Sequence, residues 1–278
     1  MNHQVHTMTS DALLDAVSAG VRLVELGQPF FTGMPCSPNH PGFRMTLIRR
    51  HGDMVRADGG SAANEIIVTG GHVGTHVDAL SHVSHDGVMY GGVDAAEAQV
   101  GGTFKELGAE HTPAFLCRGV LLDVASALGV EVLDPGQGVG AAELQAALDR
   151  CGTELRPGDV ALVRTGWAQY FGDAERYLSK AHGVPGVTPD GGRWLADAGV
   201  SATGSDTTAF EQIPPGAGHS VLPVHRILLV ENGIHIIEHL ALEEASEAGL
   251  TEFTFVMAPL RIVGGTGSPV RPLAAVSA

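Results

Sequence analysis

The sequence contains few cysteines, few basic side chains and few aromatic side chains. Its cysteines, Cys36, Cys117 and Cys151, are odd in number and far apart, which argues against a disulfide framework and against a cysteine-based zinc site. Their scarcity fits a reducing compartment, so we predict a cytoplasmic protein. Sixteen Lys and Arg against 31 Asp and Glu give a formal net charge of -15. Because such a surface repels phosphate groups, we expect neither nucleic acid nor an anionic membrane as a partner.

Long apolar segments are also lacking. No apolar run approaches the ~20 residues of a membrane helix. The first twenty residues show no basic segment followed by an apolar one, so we predict no secretory signal. The 278 residues are 44% hydrophobic and 17% charged, which suffices for one sizeable core. With no repeat, linker or break in composition, we predict a single domain over residues 1–278.

Short apolar runs typical of strands alternate with segments that have the apolar spacing of helices. We predict strands at 21–26, 45–48, 65–69, 120–124, 160–164, 200–204, 234–238 and 253–257. We predict helices at 11–20, 140–150 and 189–198, with Thr9 or Ser10 as the N-cap of the first. This interleaving predicts an α/β fold with a mixed sheet.

The chain has 14 histidines, and three of them lie within eleven residues. The segment runs His72-x-x-x-His76-x-Asp78-x-x-x-His82, directly after the strand predicted at 65–69. Imidazole nitrogens and a carboxylate suit Zn or Mn. Spacings of four and two let the first three side chains converge from a turn or short helix, and we predict His72, His76 and Asp78 as metal ligands. His82 suits proton transfer, because an unperturbed imidazole has a pKa of ~6.5.

Other polar side chains lie in apolar surroundings further along the chain. Glu238 interrupts an apolar strand, where a carboxylate needs a metal or cationic partner. His225 is its candidate companion. His239 should point to the opposite face of a regular strand and is predicted to be structural. Asp206 is a weaker candidate to orient a ligand histidine. The remaining predictions place Trp167 and Phe210 in the core and His85, His219 and His235 at the surface or behind the ligands, and have Arg271 fix the C-terminal turn.

Several segments together resemble the cyclase-type metal-dependent hydrolases, a family that includes bacterial kynurenine formamidase, isatin hydrolase and polyketide cyclases. The first is the His-x-Gly-Thr-His-x-Asp-x-x-x-His motif at 72–82. In the order of the family, it is followed by RTGW at 164–167, GSDT at 204–207, HRILL at 225–229, IIEHL at 236–240, and APL at 258–260 with GGTGSPVR at 264–271. In one departure, formamidase-like members have a proline between the Asp and the last His of the motif, where this chain has Ala79-Leu80-Ser81.

The resemblance implies a swivelling β/β/α-type fold that assembles as a homodimer or homotetramer. It implies one or two divalent ions, Zn or Mn, with His225 and Glu238 completing a second position, Asp78 bridging the two, and His82 as the catalytic acid/base. The implied reaction is hydrolysis of a small amide, with N-formylkynurenine first, isatin-like lactams second and lactones or cyclic imides third. Two alternatives stay open: cyclisation or dehydration of a polyketide-like substrate, and a non-enzymatic metal- or ligand-binding protein.

Overall fold

The computed structural model describes residues 11–278, and the N-cap candidates Thr9 and Ser10 lie outside this range. Within it the strands are β1 Val21–Glu25, β2 Arg44–Arg49, β3 Asn64–Val68, β4 His76–Asp78, β5 Gln99–Val100, β6 Thr103–Phe104, β7 Phe115–Asp123, β8 Gly138–Val139, β9 Val160–Arg164, β10 Gly186–Val187, β11 Ala202–Ser205, β12 His235–Glu238, β13 Glu252–Met257, β14 Gly267–Pro269 and β15 Leu273–Ser277. The α-helices are α1 Asp11–Ser18, α2 Ala95–Ala98, α3 Val124–Ala127, α4 Ala141–Cys151, α5 Ala174–Leu178, α6 Pro189–Asp197, α7 Pro223–His225 and α8 Glu243–Glu247. A π-helix, Arg226–Glu231, continues α7, and 3-10 turns occupy Tyr90–Gly92, Ala109–His111 and Trp167–Tyr170.

One nine-stranded mixed sheet organises the molecule, in the order β1-β15-β13-β7-β9-β11-β12-β4-β14. Its four central strands, β7, β9, β11 and β12, are parallel, and the strands on both flanks are antiparallel. The predicted α/β class with a mixed sheet is therefore confirmed, and no described helix is long and apolar enough to cross a membrane.

The central strands are buried on both faces, as expected for parallel strands covered on each side. In β7, Val120 and Leu122 join one core cluster while Leu121 joins the other. Helices α4 and α6 and the π-helix cover the first face through Leu144, Leu195 and Leu228 among others. The two clusters hold the sheet rigid, so the loops at the carboxyl ends of its parallel strands have fixed positions.

Strands β2 and β3 form an antiparallel hairpin outside the nine-stranded sheet. Every residue of both strands is exposed. The predicted strands at 45–48 and 65–69 are thus present, but they contribute no surface to the main core.

Candidate metal centre

Two antiparallel strands bring the acidic side chains of the centre together. Parallel sheets place ligand sites beyond the carboxyl ends of their strands, and Glu238 is the last residue of β12. Strand β4 pairs antiparallel with β12, in a register that sets His76 beside Glu238. Because alternate residues share one face of a strand, His76 and Asp78 point to the same side while Val77 enters the core. The convergence of this pair therefore comes from a strand, and the prediction of a turn or short helix for it is wrong.

His72 reaches the same place from the turn before β4. Gly74 has φ +63°, and a Cβ there would lie 2.5 Å from Met34 Cε, so only glycine fits this turn. The His72 ring lies between Asp78 Oδ1, 2.8 Å from its Nδ1, and Thr266 Oγ1, 2.9 Å from its Nε2. The glycine turn thus folds His72 back onto the carboxylate that follows it by six residues.

His225 enters from helix α7 and is oriented by Glu211. Glu211 accepts hydrogen bonds from His225 Nδ1 (2.6 Å), from His225 N (2.9 Å) and from Val224 N (3.1 Å). This arrangement turns His225 Nε2 toward the centre, 3.3 Å from Glu238 Oε1 and 3.8 Å from Asp78 Oδ2. The sequence analysis missed Glu211. Its segment, SDTTAFEQIP at 205–214, mixes polar and apolar residues and carries no periodic signal that singles out Glu211.

His239 lies in the same cavity as Glu238, contrary to its predicted outward orientation. The chain leaves the extended conformation at this residue, which has φ +56°, so the alternation of a regular strand ends one residue earlier. The ring centroid of His239 is 5.7 Å from that of His76. Its Nδ1 is buried and has no hydrogen-bond partner among residues 11–278.

His82 stacks on His72, with ring centroids 3.9 Å apart and ring planes 26° from parallel. Burial lowers the pKa of His82 to about 3, against an opposing effect of the Asp78 carboxylate. The ring is therefore neutral near pH 7 and has a nitrogen lone pair that can accept a proton. His82 is thus brought beside the predicted ligands, as its proposed role in proton transfer requires.

The two buried carboxylates attract positive charge. Burial alone would raise the pKa of Asp78, but the neighbouring His82 and His72 outweigh this effect and lower the pKa to about 2. Burial likewise opposes ionisation of Glu238, yet the adjacent His225 and His76 imidazoles hold its pKa well below the usual range. Conversely, burial lowers the pKa of His225, but Glu211 and Glu238 raise it to about 10. The centre thus holds two buried carboxylates that stay ionised because positively charged groups lie next to them.

A divalent cation fits this donor set. Asp78 Oδ2 and Glu238 Oε1 are buried, and within residues 11–278 neither has a hydrogen-bond partner. A buried unpaired carboxylate oxygen is costly, and a metal ion would satisfy it. Residues 11–278 contain three groups whose donor atoms lie within 4.8 Å of one another. They are His72 with Asp78 and His82, His76 with Glu238 and His239, and Asp78 with His225 and Glu238.

Other predicted residues lie away from the donor atoms. Asp206 accepts hydrogen bonds from Thr165 N, Thr165 Oγ1 and Gly166 N, so its predicted contact with a ligand histidine is wrong. His235 Nδ1 donates to the Asp78 carbonyl oxygen (2.8 Å) behind the ligands, as predicted. Trp167 and Phe210 are buried in the core, also as predicted. His85 is exposed, His219 lines the cavity, and Arg271 pairs with Glu25 on the surface.

The centre opens into a small cavity of about 210 Å³. Most of the residues that line it have polar side chains, among them His40, His72, His82, His219 and Glu238. A second cavity of about 350 Å³ adjoins it and shares Ser37, Asn39, Thr208 and His219 with it. Together they offer room for a small substrate beside the donor groups.

Residues 24–212 match the model of a protein family named Cyclase, which is more than half of the chain. The chain belongs to the Cyclase family. The matched segment includes His72, His76, Asp78, His82 and Glu211, whereas His225 and Glu238 follow it.

Known proteins agree with this membership. Isatin hydrolase from Roseibium aggregatum is 29% identical over 126 residues, which is 44% of this chain and 47% of that protein, so the match spans less than half of that curated relative. A crystal structure described as a novel cyclase superposes with a TM-score of 0.82 at 28% identity, covering 96% of this chain and 93% of the other. A structure of an isatin hydrolase bound to the product analogue thioisatinate has a TM-score of 0.72 at 24% identity and covers 98% and 100% of the two chains.

Proposed function

We propose that this protein is a metal-dependent hydrolase of a small cyclic or aryl amide. The observation that carries the proposal is the pair of buried carboxylates, Asp78 and Glu238, each with an oxygen left without a hydrogen bond and each surrounded by imidazoles. Such a pair, with Glu238 lining a small cavity and Asp78 close behind it, suits a divalent ion and a substrate beside it. Isatin-like lactams come first as substrates, because a curated relative that is 29% identical over 126 residues is an isatin hydrolase. N-formylkynurenine, a formamide, comes second.

The residues of the chain would divide the work as follows. His72, His76, Asp78, His225 and Glu238 would hold one or two ions, Zn or Mn. A divalent ion there would supply Lewis acidity, which makes water nucleophilic at neutral pH and stabilises the charge that develops on the substrate carbonyl oxygen. His82 takes the proton of the water as the C–O bond forms and the charge shifts to the carbonyl oxygen. It then delivers that proton to the leaving nitrogen as the C=O bond re-forms and the C–N bond breaks. The products are a carboxylate and an amine.

Cyclisation of a polyketide-like substrate is the second candidate, favoured by the similarity to a structure described as a novel cyclase. That reaction needs a roomy apolar pocket from which water is excluded. The cavity beside the donor groups has a volume of about 210 Å³ and adjoins one of about 350 Å³. The polar side chains around the donor groups can hold an attacking water, and this favours hydrolysis.

Chelator-stripped protein tests the proposal. Hydrolysis of isatin, N-formylkynurenine and a simple aryl ester is measured with and without added Zn²⁺ or Mn²⁺. We expect turnover of one amide that the metal restores, and its absence in Asp78→Asn protein. The exposed His85→Asn variant serves as a matched control and keeps wild-type turnover. Stoichiometric metal binding without turnover of any of the three substrates would contradict the hydrolase and favour cyclisation or a binding role.

A further inference from the structure

His239 adopts a left-handed backbone conformation that is uncommon for residues other than glycine. Its φ is +56°, a value at which histidine, asparagine and aspartate are the more frequent exceptions. Two hydrogen bonds hold it there, from His239 N to Thr207 O (3.0 Å) and from Thr75 Oγ1 to His239 O (2.6 Å). The conformation places the side chains of two consecutive residues, Glu238 and His239, in the same cavity.

Packing fixes the ring of His239 as well. Tyr177 stacks on it with centroids 5.5 Å apart and planes 29° from parallel, and Phe171 contacts it edge-on. The Tyr177 hydroxyl donates to Asp206 O at 3.0 Å, which immobilises the stack. The ring is 3% exposed, yet its Nδ1 finds no hydrogen-bond partner within residues 11–278. An immobile, buried imidazole nitrogen without a protein partner is poised to bind a ligand.

The His239 ring lies next to the donor atoms of a metal site. His76 Nδ1 donates to Gly74 O (2.7 Å), which leaves His76 Nε2 free and 3.4 Å from Glu238 Oε2. One donor atom each of His76, Glu238 and His239 lies within 4.8 Å of the other two. We propose that His239 is a metal ligand, which forms with His76 and Glu238 an ion position that the sequence motif does not include. The proposal rests on the metal centre of the proposed function.

Glu238 then joins two ion positions. Its Oε2 faces His76, while its Oε1 lies 3.3 Å from His225 Nε2, in the group that also contains Asp78. Two imidazoles and one carboxylate favour Zn²⁺ or Co²⁺ over the oxygen-preferring Mg²⁺ and Ca²⁺. The second ion would therefore lie on the His239 side of the centre. Glu238 is then the carboxylate that links the two positions.

Metal titration of a variant that keeps the backbone tests this assignment. Asparagine tolerates positive φ, so His239→Asn removes the imidazole without adding backbone strain. His40→Asn is the matched control, since His40 lines the same cavity but belongs to none of the three donor groups. Chelator-stripped proteins are titrated with Co²⁺, followed by its visible absorbance, and bound Zn²⁺ is counted by elemental analysis. We expect His239→Asn to lose one ion, or to bind it at least about 100-fold more weakly, while His40→Asn behaves as wild type.

The outcomes separate the two proposals. If the wild type binds no ion, the proposed function itself is overturned. If the wild type binds ions, and His239→Asn matches it in stoichiometry, affinity and Co²⁺ spectrum, only the role of His239 is overturned. Should His239→Asn fail to fold, the histidine ¹⁵N resonances of the wild type decide. Zn²⁺ must then shift a ring-nitrogen resonance of His239, and ring resonances of His239 that stay unshifted in the Zn²⁺-loaded protein contradict the inference.

Discussion

His82 lies beside the donor groups but stacks on a ligand candidate, and its role can be separated from metal binding. In the mechanism proposed here it moves a proton, so His82→Gln should lower kcat by about 10²- to 10⁴-fold. Bound metal should stay at the wild-type level, because the other donors remain. The measurement pairs steady-state kinetics with elemental analysis of the same samples, and His85→Gln is the exposed control. Loss of metal in parallel with turnover would instead make His82 a ligand with His72 and Asp78.

Glu211 should act on metal affinity through His225. Its carboxylate accepts hydrogen bonds from three N–H groups. In Glu211→Gln one carboxylate oxygen is replaced by an NH₂ group, which cannot accept a hydrogen bond from the N–H group that it faces. His225 would then lose its fixed orientation. We expect metal affinity to fall by about 10- to 100-fold, as is typical when the partner of a ligand histidine is removed. A competition titration against a chromogenic chelator measures it, with the exposed Glu247→Gln as control. Unchanged affinity would show that packing alone orients His225.

The residues of the centre that could be found from sequence are those with local spacing or an unusual setting. The spacing of His72, His76 and Asp78 indicated a ligand set, and a carboxylate in an apolar strand indicated Glu238. Glu211 and His239 could not be assigned, because each depends on a positive φ, at Phe210 and at His239 itself, that the pattern of residue types does not report. Asp206 was misassigned, since its partners, Thr165 and Gly166, lie in the loop that follows the neighbouring strand β9.

At the scale of elements, Asp123 ties four segments together at the carboxyl end of β7. It caps α3 by accepting from Ser126 N (2.9 Å), accepts from Arg164 Nη1 at the end of β9 (2.9 Å), and accepts from Ser246 Oγ in α8. Arg164 is 8% exposed and also pairs with Glu243. Removing the carboxylate leaves a buried guanidinium partly unpaired.

Asp123→Asn should therefore destabilise the protein by about 3 kcal/mol at pH 7, measured by urea denaturation. Burial raises the pKa of Asp123, but hydrogen bonds from Ser246 and Ser126 and the charge of Arg164 lower it overall. With a folded pKa below the unfolded value, this stabilisation is present above the unfolded pKa of ~3.9 and is lost as pH falls through the folded pKa. The difference in free energy of unfolding between wild type and variant should thus become smaller in acid. A gap that stays constant from pH 7 to pH 3 would exclude the ionised carboxylate as its cause.

Elements with a strong local pattern were predicted almost to the residue. Strand β9 coincides with the predicted 160–164, and α6 ends one residue before the predicted 198, because a buried run and a Pro-initiated helix carry their own signals. Strands β4 and β14 have three residues each and form only by pairing with each other and with β12. The π-helix likewise has no separate sequence signal. The parts of the sheet that build the centre were therefore the least predictable.

On the scale of the whole molecule, the β2–β3 hairpin is apolar and uncovered. Ile66 and Ile67 are neighbours in one strand and so point to opposite faces, and both are about half exposed. Exposed apolar side chains of the hairpin and its loop also include Met45, Leu47, Ile48, Met54, Val55 and Val68. An isolated two-stranded hairpin is at best marginally stable in water. Eight such side chains, at roughly 100 Å² each, approach the ~800 Å² per partner that stable interfaces bury, provided that the partner covers both faces of the hairpin.

Charge points to a second copy of this chain as the partner. The hairpin and its loop, residues 44–68, carry four arginines against three carboxylates, while the remainder of the chain carries the acidic excess. Among residues 11–278 none of these arginines, Arg44, Arg49, Arg50 and Arg56, has a carboxylate within 4 Å. A basic, apolar arm therefore complements an acidic body. We propose that the predicted homo-oligomer forms when this arm packs on another protomer.

We expect the protein to have a mass in solution of two or four times 28.8 kDa, measured by light scattering after size-exclusion chromatography. Ile48→Lys with Ile67→Lys should yield monomer, because buried charges without partners oppose association. Val263→Lys changes an even more exposed apolar side chain elsewhere on the surface and should leave the oligomer intact. A monomeric wild type, or an oligomer that survives the double substitution, would contradict the role of the hairpin. The hairpin ends only four residues before His72. If the double substitution abolishes the oligomer and also weakens metal binding, assembly helps to hold the turn that carries His72 in place.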